Sequence, residues 1–285
     1  MFLAFSFACS LPTNQESFEL ISLLDNGHVF DVRFTKGDTG LLKGQGHLHI
    51  NRWQPGTPMS YHMDIPPLVS DINEDGADFL GYRFFTENDV WQLYVRSEEY
   101  NVSGQVRSLD IAPIQFHDEA WTTNIIYPNS ELLGWSSAMG RSGLLKGNAV
   151  LFHRHGEALL HGERHLLLAF STDNYLGIEF SNRSQHSWGK VNNTSLQYDD
   201  ITIHTHKSHI SGTIGTKDFS FTPSATLGQE DLYDHLTTGE RWISSPLLST
   251  AQRHVMTGNI TLENTTSLPA IYIYHGDSPI RSKRP

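Results

Sequence analysis

A chain of 285 residues, 38 % hydrophobic and 11 % aromatic, has the apolar material for one large core or two modest ones and is not the composition of a disordered chain. Its formal net charge of −11 lacks the basic footprint that phosphate neutralisation requires, which argues against nucleic acid as a partner. The 16 histidines would offset much of that charge at mildly acidic pH.

The opening MFLAFSFACSLPTNQES is apolar from Phe2 to Ala8, then small, then polar, which is the pattern of a short signal-peptide core without a basic start. Residues 1–10 are therefore expected to be a signal segment that takes the lone Cys9 with it, and the mature protein is expected to be secreted or otherwise extracytoplasmic. A lipidated Cys9 fits less well, because Phe7 stands where a small residue is usual. No later apolar run reaches the roughly 18 residues of a membrane-spanning helix. Asn-x-Ser/Thr acceptors stand at Asn101, Asn182, Asn192, Asn193, Asn259 and Asn264, and glycosylation is expected there, although asparagine is also common in β-turns.

Along the chain, apolar residues alternate with polar ones in segments bounded by turn residues, as in half-buried strands. HVFDVRF (His28–Phe34), GHLHINRW (Gly46–Trp53), DFLGYRFF (Asp78–Phe85) and DVWQLYVRS (Asp89–Ser97) are the clearest early cases. DITIHTHKSHISGTI (Asp200–Ile214) and HVMTGNITLEN (His254–Asn264) continue the pattern. A short helix is expected around Gly228–Thr237, and otherwise the chain reads as all-β. GLLKG occurs at Gly40 and again at Gly143, each time leading into a strand, which suggests two β-halves, 17–130 and 134–281, or two equivalent hairpins in one sandwich. In the second copy Ala149, Leu151 and His153 fall on one face and Val150, Phe152 and Arg154 on the other, so this strand is expected to be covered on both sides.

The run WSSAMGRSGLLKGNAVLFHRHGEALLHGERH (Trp135–His165) resembles the start of the second half in the AttH and hydroxyneurosporene-synthase family, which includes fungal lipocalin-like Diels–Alderases. QHSWG (Gln185–Gly189) is similar to the family's Asp-His-x-Trp-Gly motif, with Gln185 in place of aspartate. SHISGTI (Ser208–Ile214) and RHVMTGNITLEN (Arg253–Asn264) look like its later glycine-centred strands. The resemblance implies two lipocalin-like β-barrels, a hydrophobic ligand of terpenoid or polyketide type, and no cofactor.

Three His-x-His pairs, His47/His49, His153/His155 and His204/His206, each present two imidazoles on one side of a strand. Gly147 followed by His153-x-His155 opens like a cupin metal motif, but Glu157 comes too early and Glu163 too late to complete it, so exposed histidines and no bound metal are expected. Glu163 and His165, with Arg141 upstream, are the acid/base candidates if they point into a barrel; the competing reading is a solvated surface pair. Trp135, Trp188, Trp91 and Trp121 are the candidates for an aromatic lining, against which stands ordinary core packing.

These features favour a secreted lipocalin-like protein that encloses a hydrophobic small molecule and cyclises or isomerises it by conformational restraint. Two alternatives stay open: a non-catalytic module for lipid, sterol or glycan, and a metal-dependent cupin-like enzyme.

Overall fold

The computed structural model describes residues 15–39, 42–56, 58–110, 113–117, 121–138, 140–156, 164–181, 185–206, 209–231, 252–263 and 266–276. The first sheet begins with β1 (Gln15–Leu24), β2 (Val29–Thr39), β3 (Leu42–Trp53) and β4 (Met59–Ile65). A single 3-10 turn, Pro67–Val69, leads to β5 (Ser70–Asn73), β6 (Gly76–Phe79), β7 (Tyr82–Glu87) and β8 (Val90–Arg96). The sheet is completed by β9 (Tyr100–Ser108), β10 (Ile114–His117), β11 (Trp121–Ala138) and β12 (Arg141–Gly156). The second comprises β13 (Arg164–Phe170), β14 (Tyr175–Ser181), β15 (Gln185–Val191), β16 (Thr194–Tyr198) and β17 (Ile201–Thr205), then β18 (Ile210–Ile214), β19 (Lys217–Asp231), β20 (Gln252–Leu262) and β21 (Thr266–His275).

Both sheets are antiparallel and curl into nearly closed barrels, with strand orders β4-β3-β2-β1-β12-β11-β9-β8-β7-β6-β5 and β16-β15-β14-β13-β21-β20-β19-β18-β17. The chain is thus two lipocalin-like barrels, as the resemblance implies. Hairpins between sequential strands account for most of the pairing; β1–β12, β9–β11 and β13–β21 complete the paths, and β10 pairs with β11 off the first path.

Alternation sorts the side chains into three cores. Phe18, Leu20, Phe30, Val32, Phe34, Leu48, Ile50 and Leu151 fill the first barrel, and Leu167, Ile178, Phe221, Met256 and Tyr272 the second. A third core lies between the barrels, where Ile21, Val29, Val150 and Phe152 meet Leu166, Leu168, Trp188, Val255 and Ile273. β12 is therefore a wall with a core on each side: Ala149 and Leu151 point into the first barrel, Val150 and Phe152 toward the second.

Three expectations need correction. The division between halves lies after Gly156, because β11 and β12 both belong to the first sheet rather than splitting near residues 128–133. Pro128, near the expected boundary, sits where β11 shifts register between Tyr127 and Ser130, a place that tolerates a missing N–H. The two GLLKG copies lead into β3 and β12 of the same sheet, so they do not mark a duplicated barrel. Residues 228–231, where a helix is expected, are the end of β19; the remainder of that expected helix lies outside the described residues.

Candidate ligand site in the first barrel

On β3, Leu48 and Ile50 point into the first barrel, and Arg52 follows them on the same face. Arg52 is 8 % exposed. Among the described residues it makes no ion pair; its one side-chain hydrogen bond goes from Nη1 to Ser136 Oγ at 3.4 Å, and its buried Nε has no acceptor. Gly143, the first glycine of the second GLLKG, makes room for it: a Cβ there would stand 2.6 Å from the guanidinium.

Tyrosines surround this charge. Tyr100 packs its ring 5.7 Å from Tyr61, and the Tyr100 hydroxyl, beside Ser136, has no hydrogen-bond partner of good geometry among the described residues. Burial raises the Tyr100 hydroxyl to about 12, with Arg52 and Ser136 pulling the other way, so at neutral pH it is a donor. Tyr82 is also raised, by burial first and then by Tyr61. Met59 and Met63 pack against the same core. A buried guanidinium with no carboxylate partner and a buried phenol with no acceptor among the described residues, set among apolar and aromatic side chains, have the chemistry to receive an oxyanion on an apolar body.

A second polar zone lies outside this barrel, at one end of the core between the barrels. Arg154 Nη1 donates to Glu19 Oε2 at 2.5 Å and its Nη2 to Glu179 Oε2 at 3.1 Å, while Arg164 Nε donates to Glu179 Oε1 at 2.9 Å. Arg253, fully buried, donates to Asp31 Oδ1 at 2.9 Å and lies 3.8 Å from Glu19 Oε1; Trp53 Nε1 also donates to Asp31. Burial opposes the ionised form of Arg253, but Asp31, Glu19 and Glu230 outweigh it and hold its pKa above the usual value. Burial would raise Glu19 and Glu179, but the surrounding guanidiniums hold Glu19 well below the carboxylate range and lower Glu179 as well. Glu230, half-buried, goes the other way: burial raises it, and Arg253 only partly offsets that. His275 is held neutral by burial and by the charges of Arg164 and Arg253. With each buried charge facing an opposite one, this zone clamps the barrels together.

The row continues onto the open side of β3 and β4, where His47 Nδ1 lies 2.7 Å and His62 Nε2 2.9 Å from Asp64 Oδ1, and His49 Nδ1 lies 3.1 Å from His62 Nδ1. Hydrogen bonds from His47 and then His62 hold Asp64 well below the carboxylate range against the opposing effect of burial.

The residues singled out from sequence are dispersed. His165 points into the second barrel, its Nδ1 2.6 Å from Tyr272 Oη, whereas Arg141 is exposed at the start of β12 and Glu163 lies outside the described residues. Trp91 is buried inside the first barrel against Phe18 and Phe84, Trp188 is buried between the barrels, Trp135 is 46 % exposed, and the Trp121 side chain is not described. His153 turns into the first barrel, stacked on Phe18 and bonded to Glu16, while His155, His204 and His206 are exposed. Asn192, Asn193 and Asn259 are exposed, Asn101 is half-buried, and Asn182 and Asn264 lie outside the described residues. Arg52 was the residue to find. An arginine two positions beyond Leu48 and Ile50 on a strict alternation has to face the same interior.

No protein-family model matches the chain, and no curated protein does. Solved structures do. A Nitrosomonas europaea protein described as an AttH superposes with a TM-score of 0.70 over 93 % of each chain at 9 % identity. The fold is that of the AttH-like two-barrel proteins. CghA in complex with Sch210972 matches it at a TM-score of 0.69 and 9 % identity, over 94 % of this chain and 89 % of that one. Kievitone hydratase from Nectria haematococca matches at 0.56 and 11 % identity, over 96 % and 93 %.

Proposed function

We propose that the protein encloses a hydrophobic small molecule bearing an acidic or enolisable head in its first barrel, with Arg52 and Tyr100 receiving the oxygen. The observation that carries this reading is Arg52, a cation buried inside a barrel with no carboxylate to neutralise it among the described residues. Such a charge is costly until an anion joins it. Two proteins of the same fold support a small-molecule role, one solved with Sch210972 and one a hydratase.

For a bound enol or dicarbonyl, Arg52 and the protonated Tyr100 would stabilise negative charge building on oxygen, and Phe18, Leu48, Ile50 and Tyr61 would confine the apolar chain. Cyclisation or isomerisation by restraint needs no more than this, and neither calls on a cofactor. A carrier would use the same receptor without turnover.

Matched probes test the receptor. cis-Parinaric acid should bind saturably, its methyl ester at least tenfold more weakly, and Arg52→Met should abolish that preference, since a hydrogen bond to a charged group contributes about 1.5–3 kcal/mol. Equal affinity for acid and ester in the wild-type protein, or an unchanged preference in Arg52→Met, would sink the proposal.

We also propose that the chain is exported and glycosylated. In its support, Asn192, Asn193 and Asn259 are exposed acceptors, although the left-handed turn at Asn192 (φ 52°) and Asn193 (φ 62°) would favour asparagine by itself. Peptide mapping of protein from its native source, before and after glycosidase, should show glycan at Asn192 or Asn193. An intact Met1 with no glycan would count against export.

A further inference from the structure

We propose that His47, His62 and Asp64 bind a divalent transition-metal ion of the zinc class on the outer face of the first barrel. The sequence draws the eye to His-x-His pairs along single strands, and no metal is expected from them. The ligand set is made across two strands instead. In the β3–β4 register His47 stands opposite Asp64 and His49 opposite His62, so all four side chains share one face.

His47, His62 and Asp64 each offer one ligand atom within 4.8 Å of the others, and they are the one such group of three among the described residues. His47 Nδ1 and His62 Nε2 already lie 2.7 and 2.9 Å from one carboxylate oxygen. Bonds of about 2.0–2.1 Å to a tetrahedral ion set neighbouring ligand atoms roughly 3.3 Å apart, so an ion enters after an opening of a few tenths of an ångström. His47 and His62 are largely enclosed, with side chains 14 % and 22 % exposed, which limits how far they can swing away.

His49 completes the geometry. Its Nδ1 is 3.1 Å from His62 Nδ1, so one of the two nitrogens carries the shared proton. With that proton on His62 Nδ1, the His62 Nε2 lone pair faces Asp64 and the ion that would lie between them, and His49 fixes the ring. An acceptor behind a ligating imidazole is what metal sites require. Arg33, opposite His49 on β2, is a cation beside the group. It weakens any divalent ion alike, and the ligand set makes the choice: two imidazoles and one carboxylate suit ions that bind imidazole strongly rather than magnesium or calcium, which depend on several oxygen ligands. Three protein ligands leave a fourth position open.

Chelator-treated full-length protein should take up one equivalent of Zn²⁺ in calorimetric titration, and Co²⁺ should give the intense visible bands of a tetrahedral site. His62→Ala and the near-isosteric Asp64→Asn should each weaken binding at least tenfold, and His49→Phe by roughly tenfold or more, the usual consequence of losing such a support. His206→Ala, on the exposed stacked pair with His209, should change nothing. Circular dichroism should show Asp64→Asn to be folded. No saturable uptake in the micromolar range overturns the proposal, and so does uptake that survives both His62→Ala and Asp64→Asn. Arg52 lies on the inner face, so the preference for parinaric acid is read separately and either result stands without the other.

Discussion

Replacing Glu19 with alanine is expected to cost about 3–5 kcal/mol in urea denaturation followed by tryptophan emission, because it leaves buried guanidiniums without their counter-charge. Glu19 is 3 % exposed and contacts Arg154 of its own barrel and Arg253 of the other. Glu19→Gln should lose less, since the amide keeps the shape and one acceptor. The pH dependence has a defined sign. Glu19 and Glu179 have folded-state values below the ordinary 4.5, so the stability they add is present above that pH and is lost as pH falls toward the folded values. Glu230 is raised, so its contribution is present below its unfolded value and lost as pH rises through the folded one. Wild-type stability should therefore fall on acidification below about pH 4.5, and Glu19→Ala should flatten that acid limb. A loss under about 1 kcal/mol with an unchanged acid limb would show the zone to be solvated and the barrels to be held by the apolar core alone.

Much of this architecture is written in period two. Strict alternation through Ala149, Val150, Leu151 and Phe152 places apolar side chains on both faces of one strand, and such a strand has to be buried on both sides. The same alternation carries Arg52 inward after Leu48 and Ile50. Pairing at long range is another matter. Glu19 and Arg154 lie 135 positions apart, and Arg253 and Asp31 lie 222 apart; nothing local in either segment names its partner. His47 and His62 are likewise joined by a β3–β4 register that the hairpin sets and the His-x-His spacing does not reveal. The boundary expected near residues 128–133 falls instead inside β11, where Pro128 sits at a register shift that accepts a residue without an N–H.

Trp188→Ala separates a tryptophan that lines a ligand from one that holds barrels together. The sequence offers both readings, and the structure buries Trp188 to 1 % exposure in the core between the barrels. Its ring meets Phe152 of the first barrel edge-on, with centroids 5.8 Å apart, and lies 6.1 Å from Phe116. On the adjacent strand Gly177 stands opposite it in register, where a Cβ would sit 2.1 Å from the indole, so the absence of a side chain there gives the ring its seat. Removing the ring leaves a cavity bounded by two rigid sheets that collapse poorly into it, and a loss of about 3–5 kcal/mol is expected. Trp135→Ala, at an exposed site, should stay within about 0.5 kcal/mol. Measured well below its melting temperature, Trp188→Ala should bind parinaric acid within a factor of about 3, a free-energy change under 1 kcal/mol, because the receptor around Arg52 lies on the other side of the β12 wall. If the variant instead kept its stability and lost the probe, the ligand would belong between the barrels, and the reading built on Arg52 would have to be given up.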